Sequence, residues 1–101
     1  MSNNLFVYGT LMDDTLREVL FGEFTFAVPA TLCDYKIIRN LKYPYIIQSI
    51  GDSVTGCLLD LTDTQLKISD YYENVPELYI REKVEIVVSN KIIDSWVYVR
   101  G

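Results

Sequence analysis

Short apolar runs, separated by glycine and polar residues, predict a chain built mainly of strands. Residues 5–8 form an unbroken apolar run, which is typical of a buried strand. Residues 13–21 begin with acidic side chains and continue with apolar residues at helical spacing, so a short helix that ends at Gly22 is predicted. Residues 24–40 alternate only weakly and contain Pro29, a pattern that favours an edge strand or a broken one.

The middle of the chain predicts a first β-hairpin. Residues 45–50 and 54–61 are strand-like runs, and the pair Gly51-Asp52 between them is a good two-residue turn. Gly56 interrupts the second run. A glycine inside a strand indicates either a bulge or the close approach of another backbone.

The C-terminal part predicts a second hairpin, with strands at 83–88 and 92–100 and a turn at 89–91. Because side chains alternate between the faces of a strand, two groups of residues should each share a face. These groups are Val84, Ile86 and Val88 in the first strand, and Trp96, Tyr98 and Arg100 in the second.

A second helix carries the clearest local signal. Thr62 and Gln65 have the spacing of a capping box, in which each side chain bonds the backbone N–H of the other residue. Leu61 and Leu66 occupy the two apolar positions that staple such a helix start. Pro76 predicts that the helix ends about two residues before it, because proline and the residue preceding it both disfavour helix.

These elements together predict one small α+β domain. The pattern is mostly strand with two short helices, and its antiparallel hairpins favour a sheet that curls toward a barrel. The 101 residues fit a single domain over positions 1–101.

The charge balance argues against nucleic-acid binding. The formal net charge is −5, and phosphate backbones reward clustered cations. Lys36, Arg39 and Lys42 come nearest to such a cluster, and a solvated loop face explains them more simply.

The absence of histidine removes several kinds of site. Histidine-based triads, histidine metal sites and zinc clusters of the usual composition are excluded. Cys33 and Cys57 lie among apolar residues, which predicts free, buried thiols without a catalytic role. No apolar run reaches the ~18–20 residues of a membrane span, and the start of the chain lacks the basic residues of a signal peptide. We therefore expect a cytoplasmic protein.

Glu73 is the first candidate functional residue. It lies about 20° from Leu66 around the helix, so it should point inward with that apolar residue. It also stands at the negative end of the helix dipole, and partial burial there should raise its pKa above the usual ~4.3, which suits proton exchange near neutral pH. The alternative is structural: at a frayed helix end Glu73 turns to solvent or pairs with Arg81.

The turn formed by Tyr8, Gly9, Thr10 and Leu11 is the second candidate. A strand that runs through glycine into a helix start leaves backbone N–H groups free for a carboxylate or an oxyanion, and Thr10 is a possible N-cap. Tyrosines are a third feature, because several lie near Glu73 or can be brought near it by the last strands. They are Tyr71, Tyr72, Tyr79 and Tyr98.

Four segments in this order resemble the gamma-glutamylcyclotransferase-like family. They are Leu5-Phe6-Val7-Tyr8-Gly9-Thr10-Leu11, Val54-Thr55-Gly56-Cys57-Leu58, the stretch from Asp70 to Arg81, and Trp96-Val97-Tyr98-Val99. The third is similar to the family signature D-x-Y-E-G…Y-x-R, with Asn74 where glycine is usual. Asparagine is the next most tolerant residue of the left-handed conformation, so the turn can survive.

The resemblance implies a fold and a reaction. The fold is a small mixed β-barrel flanked by short helices. The reaction is the cofactor-independent acyl transfer in which the amine of a γ-glutamyl compound attacks its own γ-carbonyl, giving 5-oxoproline. The resemblance implies Glu73 as the proton acceptor and Tyr8, Gly9, Thr10, Leu11 and Tyr79 as substrate-binding residues.

Two other functions remain compatible with the sequence. One is a binding module for an amino-acid-like ligand, in which Glu73 recognises an ammonium group. The other is an interaction domain in which an exposed strand at 24–32 pairs with a partner chain. A small-molecule γ-glutamyl substrate remains the expected partner, without nucleic acid or membrane, and the sequence does not indicate an oligomeric state.

Overall fold

A computed structural model describes residues 2–39 and 42–101 of the chain. Its elements in order are β1 (Ser2–Val7), a 3₁₀ turn (Thr10–Met12), α1 (Asp14–Phe21), β2 (Ala27–Ile38), β3 (Tyr45–Thr62), α2 (Asp63–Tyr72), β4 (Tyr79–Val88) and β5 (Lys91–Arg100). The strands close into a barrel in the order β1-β3-β2-β4-β5, and β5 pairs with β1 in parallel. All other strand pairs are antiparallel. The predicted small mixed barrel flanked by short helices is confirmed.

The second half of β1, residues 5–7, is buried on both of its faces, as its apolar run predicts. Leu5 and Val7 pack in a cluster that also receives Leu11 and Leu66 from the helical segments. Phe6 points the other way, into a second cluster shared with residues of all four other strands. One cluster therefore lies between the barrel and its helices, and the other fills the barrel.

The first predicted hairpin is wrong. Strand β3 continues through Gly51 without turning back, and both of its halves pair with β2. The register shifts at Asp34, which has a positive φ of 65°, and the Asp34 carboxylate accepts a hydrogen bond from Gly51 N–H at 3.0 Å. The turn-forming residues therefore make a bulge opposite Asp34. The predicted edge or broken strand over residues 24–40 is wrong on both counts. Strand β2 is continuous with a bulge at Asp34, and it lies between β3 and β4 in the ring.

The second hairpin is confirmed, with a tighter turn than predicted. Its two turn residues, Ser89 and Asn90, have φ of 49° and 65°. Strand β4 also begins earlier than the apolar pattern indicates, at Tyr79.

Gly56 marks the close approach of another backbone. A Cβ atom at this position would lie 2.3 Å from the carbonyl oxygen of Val7. Glycine therefore lets β3 press against the end of β1, immediately before the turn that begins at Tyr8.

The cysteine prediction is partly wrong. Both thiols are free, but Cys33 is exposed and Cys57 is only partly buried. Leu32 points into the barrel core, so strand alternation turns Cys33 outward.

Helix α2 begins as predicted. Thr62 N–H donates to Gln65 Oε1 at 2.9 Å, and Gln65 N–H donates to Thr62 Oγ1 at 3.1 Å. With ten residues, α2 is the longer of the two α-helices. None of the helices within residues 2–39 and 42–101 has the length and apolar character to cross a membrane.

Candidate active site

A cavity of about 730 Å³ opens between the end of β1, the end of α2 and the start of β4. Its volume falls in the usual range for small-molecule sites, about 300–1,000 Å³. The cavity wall includes all of the predicted site residues, namely Tyr8, Gly9, Thr10, Leu11, Glu73 and Tyr79. The fold therefore brings the two candidate segments together, as predicted.

The turn from Tyr8 to Leu11 leads from β1 into a 3₁₀ turn. The turn is closed by Met12 N–H, which donates to Gly9 carbonyl oxygen at 3.0 Å. The first N–H groups of such a turn have no partner within it, which leaves them available to a ligand.

Thr10 is not the N-cap of α1. Asp13 is, because its carboxylate accepts a hydrogen bond from Leu16 N–H at 3.0 Å. Thr10 Oγ1 instead lies 2.8 Å from the hydroxyl of Tyr72 and so ties the turn to the end of α2.

Arg17 holds the far end of this turn and was not predicted from the sequence. Its side chain is fully buried, and its guanidinium donates to the carbonyl oxygens of Leu11 at 2.9 Å and Thr25 at 3.0 Å. It also contacts the exposed carboxylate of Asp14. The guanidinium thereby joins the 3₁₀ turn beside the cavity to the segment between α1 and β2.

Glu73 is the C-cap residue of α2, and the backbone after it turns sharply. Asn74 N–H donates to Tyr71 carbonyl oxygen at 3.1 Å, and Val75 N–H donates to Asp70 carbonyl oxygen at 3.0 Å. These bonds form a Schellman motif, which requires a left-handed residue. Asn74 supplies it with φ of 58°, so the expectation that asparagine preserves this turn is confirmed.

The Glu73 carboxyl is the acidic group of the cavity. Among the described residues that line the cavity, Glu73 is the only carboxylic acid. Burial raises the pKa of the Glu73 carboxyl from 4.5 to about 7. The structural alternative of a Glu73–Arg81 pair does not hold, because Arg81 Nε lies 2.9 Å from Asp70 Oδ1.

Three tyrosines surround this carboxyl and keep their protons near neutral pH. Burial raises the pKa of the Tyr8, Tyr79 and Tyr98 phenols, and the charge of Glu73 raises each of them further. Phenols with raised pKa values act as hydrogen-bond donors and not as bases. Glu73 is therefore better suited than these tyrosines to exchange a proton near pH 7.

The tyrosine hydroxyls also fix the walls of the cavity. Tyr8 donates to the carbonyl oxygen of Tyr98 at 2.7 Å, and Tyr79 donates to that of Pro44 at 2.5 Å. Tyr98 donates to Asp70 Oδ1 at 2.7 Å. Of the four tyrosines named from the sequence, Tyr71 lies outside the site, since it is 90% exposed and does not line the cavity.

The connection between β2 and β3 contributes residues that the sequence did not assign to the site. Arg39, Lys42, Tyr43 and Pro44 all line the cavity. The interpretation of the cations as a solvated loop face is incomplete, because Arg39 and Lys42 are exposed and also border the cavity. Lys36 is an exposed residue of β2 outside it.

No candidate metal site appears within the part of the chain that the structure describes. No group of three or more histidine, cysteine, aspartate or glutamate side chains comes together there. The expectation that no cofactor is needed stays a prediction.

The raised pKa of Glu73 predicts a pH-dependent stability. Because the folded protein holds this proton more tightly than the unfolded chain, the contribution of Glu73 is most favourable below about pH 4.5 and is lost as the pH rises through about 7. We expect Glu73→Gln to remove this dependence. As the pH rises from 5 to 8, the free energy of unfolding of the variant should increase by about 1–2 kcal/mol relative to that of the wild type, allowing for solvent screening.

Urea unfolding of both proteins at the two pH values measures this effect. A difference between the proteins that does not change with pH would mean that Glu73 titrates normally.

Comparison with known proteins extends these observations. A family model described as "Gamma-glutamyl cyclotransferase, AIG2-like" matches residues 5–101. The chain is 34% identical over 91 residues to AIG2-like protein D of Arabidopsis thaliana, covering 87% of this chain and 59% of that protein. The chain thus spans about three fifths of this curated relative.

Solved structures show the same fold. A solution structure from Arabidopsis thaliana is 28% identical in sequence and has a TM-score of 0.87. The alignment covers 99% of this chain and 62% of the chain in that structure. A structure named gamma-glutamyl cyclotransferase is 21% identical, has a TM-score of 0.85, and aligns over 100% of this chain and 68% of its own. That second likeness concerns the fold alone. With the family model covering nearly the whole chain, this protein belongs to the gamma-glutamyl cyclotransferase, AIG2-like family.

Proposed function

We propose that this protein is a γ-glutamyl cyclotransferase, which converts a γ-glutamyl compound to 5-oxoproline and releases an amine or an amino acid. One observation carries the proposal. Glu73, the one carboxylic acid among the described residues of the cavity wall, has a pKa raised to about 7 and shares the cavity with the backbone turn from Tyr8 to Leu11. A general acid/base works best when its pKa lies near the operating pH.

In the proposed reaction Glu73 moves protons between two nitrogens of the substrate. The α-amine of the substrate is an ammonium at neutral pH, so Glu73 first accepts a proton from it. The amine nitrogen then attacks the γ-carbonyl carbon, and the bond from that carbon to the leaving nitrogen breaks. Glu73 gives that proton to the leaving nitrogen, and the regenerated carboxylate takes the second proton of the ring nitrogen as the lactam forms. This second proton also passes to the released amine, which leaves as an ammonium.

The other site residues are proposed to hold the substrate in a folded conformation. Because nucleophile and carbonyl belong to one molecule, correct folding of that molecule supplies much of the rate. Backbone N–H groups of Gly9, Thr10 and Leu11 would bind the carboxylate and stabilise charge on the carbonyl oxygen. Tyr79 lines the same cavity, and its hydroxyl, which donates to the carbonyl oxygen of Pro44, is proposed to hold that wall against the substrate.

A turnover screen tests this function. The protein is incubated with γ-glutamyl peptides, γ-glutamyl amines and larger conjugates, with and without a metal chelator, and 5-oxoproline is measured by mass spectrometry. Binding is measured in parallel. We expect 5-oxoproline from at least one class, with no effect of the chelator. Binding without any 5-oxoproline would contradict the proposal and favour a binding module.

The cytoplasmic location of the protein stays a prediction from the sequence.

A further inference from the structure

Two cations border the mouth of the cavity and have no role in the proton transfers. Arg39 and Lys42, here called the cationic rim, lie on the connection between β2 and β3. The chain as a whole has fourteen acidic and nine basic residues, so cations are in the minority. A cavity that presents two cations at its mouth in such a protein is suited to a negatively charged group.

The rim lies apart from Glu73 along the cavity. Tyr79 connects the two regions, because its hydroxyl bonds the carbonyl oxygen of Pro44 while the charge of Glu73 acts on its phenol. Glu73 is partly buried, whereas Arg39 and Lys42 are exposed. The cavity therefore has an inner end at Glu73 and an outer end at the rim.

A substrate bound for the proposed reaction must fill both ends in a fixed order. This step rests on the proposed function. The amine and the γ-carbonyl have to lie at Glu73, beside the turn from Tyr8 to Leu11. The leaving group can then reach the outer end along the wall that Tyr79 and Pro44 form.

We propose that Arg39 and Lys42 bind a carboxylate on the leaving group. The preferred substrates are then γ-glutamyl amino acids or peptides with a free carboxylate, in preference to γ-glutamyl amines. Arginine presents a planar pair of donors that matches a carboxylate, and lysine adds a point charge. Lys42 Nζ lies 5.4 Å from the ring centre of Tyr43, which also lines the cavity, so its ammonium is held near the mouth.

A matched pair of ligands tests the rim. γ-Glutamyl-alanine and γ-glutamyl-alaninamide differ only in whether the leaving group carries a carboxylate. Their binding is measured by calorimetry on the Glu73→Gln protein, so that turnover does not consume them. We expect the carboxylate ligand to bind about three- to tenfold more tightly at low salt, as for one or two partly exposed ion pairs, and the preference to shrink with added salt.

Charge variants made in the same background show where the preference arises. Adding Arg39→Gln and Lys42→Met should reduce the binding ratio to about one. Lys36→Met is the control, because Lys36 is an exposed cation of β2 that does not line the cavity, and it should keep the ratio. Three results would contradict the proposal that the cationic rim binds a carboxylate. They are equal binding of the two ligands, no binding of either, and a preference that survives the double substitution.

Turnover of both ligands by the wild type, followed as 5-oxoproline, separates the two proposals. Equal binding together with turnover contradicts the rim and leaves the cyclotransferase intact. A rim-dependent preference without turnover supports the rim as a carboxylate site and contradicts the cyclotransferase.

Discussion

Arg17→Met is expected to lower the free energy of unfolding by about 3–5 kcal/mol. The guanidinium makes two buried hydrogen bonds, to the carbonyl oxygens of Leu11 and Thr25. A hydrogen bond to a charged group contributes about 1.5–3 kcal/mol, and methionine leaves both carbonyls buried without a donor. For a domain of this size the loss should lower the melting temperature by at least about 12 °C.

Arg39→Met is the matched control for this substitution. It removes the same charge and replaces it with the same side chain, but Arg39 is exposed. Its effect on stability should stay within about 0.5 kcal/mol. Thermal and urea unfolding of both variants gives the comparison. A loss below about 1 kcal/mol for Arg17→Met would show that water or another donor replaces the guanidinium, and that Arg17 does not hold the turn beside the cavity.

The end of α2 could be predicted because its signals are local. Thr62 and Gln65 specify where the helix starts, and helical geometry then fixes the direction of Glu73 relative to Leu66. The cap at Asn74 follows from the same local rules. Nothing beyond residues 61–76 is needed to direct this carboxyl toward the core, which is why its position was predictable.

The first hairpin was not predictable because a distant residue decides it. Gly51-Asp52 has the composition of a two-residue turn, and nothing in its neighbourhood argues otherwise. The Asp34 carboxylate, 17 positions away, accepts from Gly51 N–H and stabilises a bulge instead. Pairing of both halves of β3 with β2 outweighs the local preference for a turn.

Arg17 and the cationic rim were missed for a related reason. The guanidinium of Arg17 bonds two backbone carbonyls, which any residue can supply, so no pattern of side chains predicts these contacts. Arg39 and Lys42 reach the cavity through the fold, on a connection that the Tyr79 hydroxyl bonds at Pro44. Such contacts depend on tertiary structure that a single sequence does not specify.

Glu73→Gln is expected to lower kcat by about 10²–10⁴-fold, toward the upper end of that range. Glutamine keeps the shape of the side chain and can still form hydrogen bonds, but it cannot accept the proton of the substrate ammonium. The same carboxyl serves both proton transfers in the proposed reaction, so one substitution affects both. Stability should hold or rise at neutral pH, because the substitution removes a charge from a partly buried position at a helix C-terminus.

Glu77→Gln is the matched control for this effect. Glu77 is an exposed glutamate four residues further along, and it does not line the cavity. The substitution changes the net charge by the same amount and should leave kcat within about twofold of the wild type, since surface changes away from a site are usually near neutral.

The most direct test of the central claim compares the rates at which the wild type, Glu73→Gln and Glu77→Gln release 5-oxoproline at saturating substrate. The melting temperature of each protein is measured as well. The substrate is one that the wild type turns over. The account predicts a loss of at least about 100-fold for Glu73→Gln alone, with all three proteins folded at the assay temperature. A near-normal rate in a folded Glu73→Gln protein would contradict the account, because the proton would then be moved by another group.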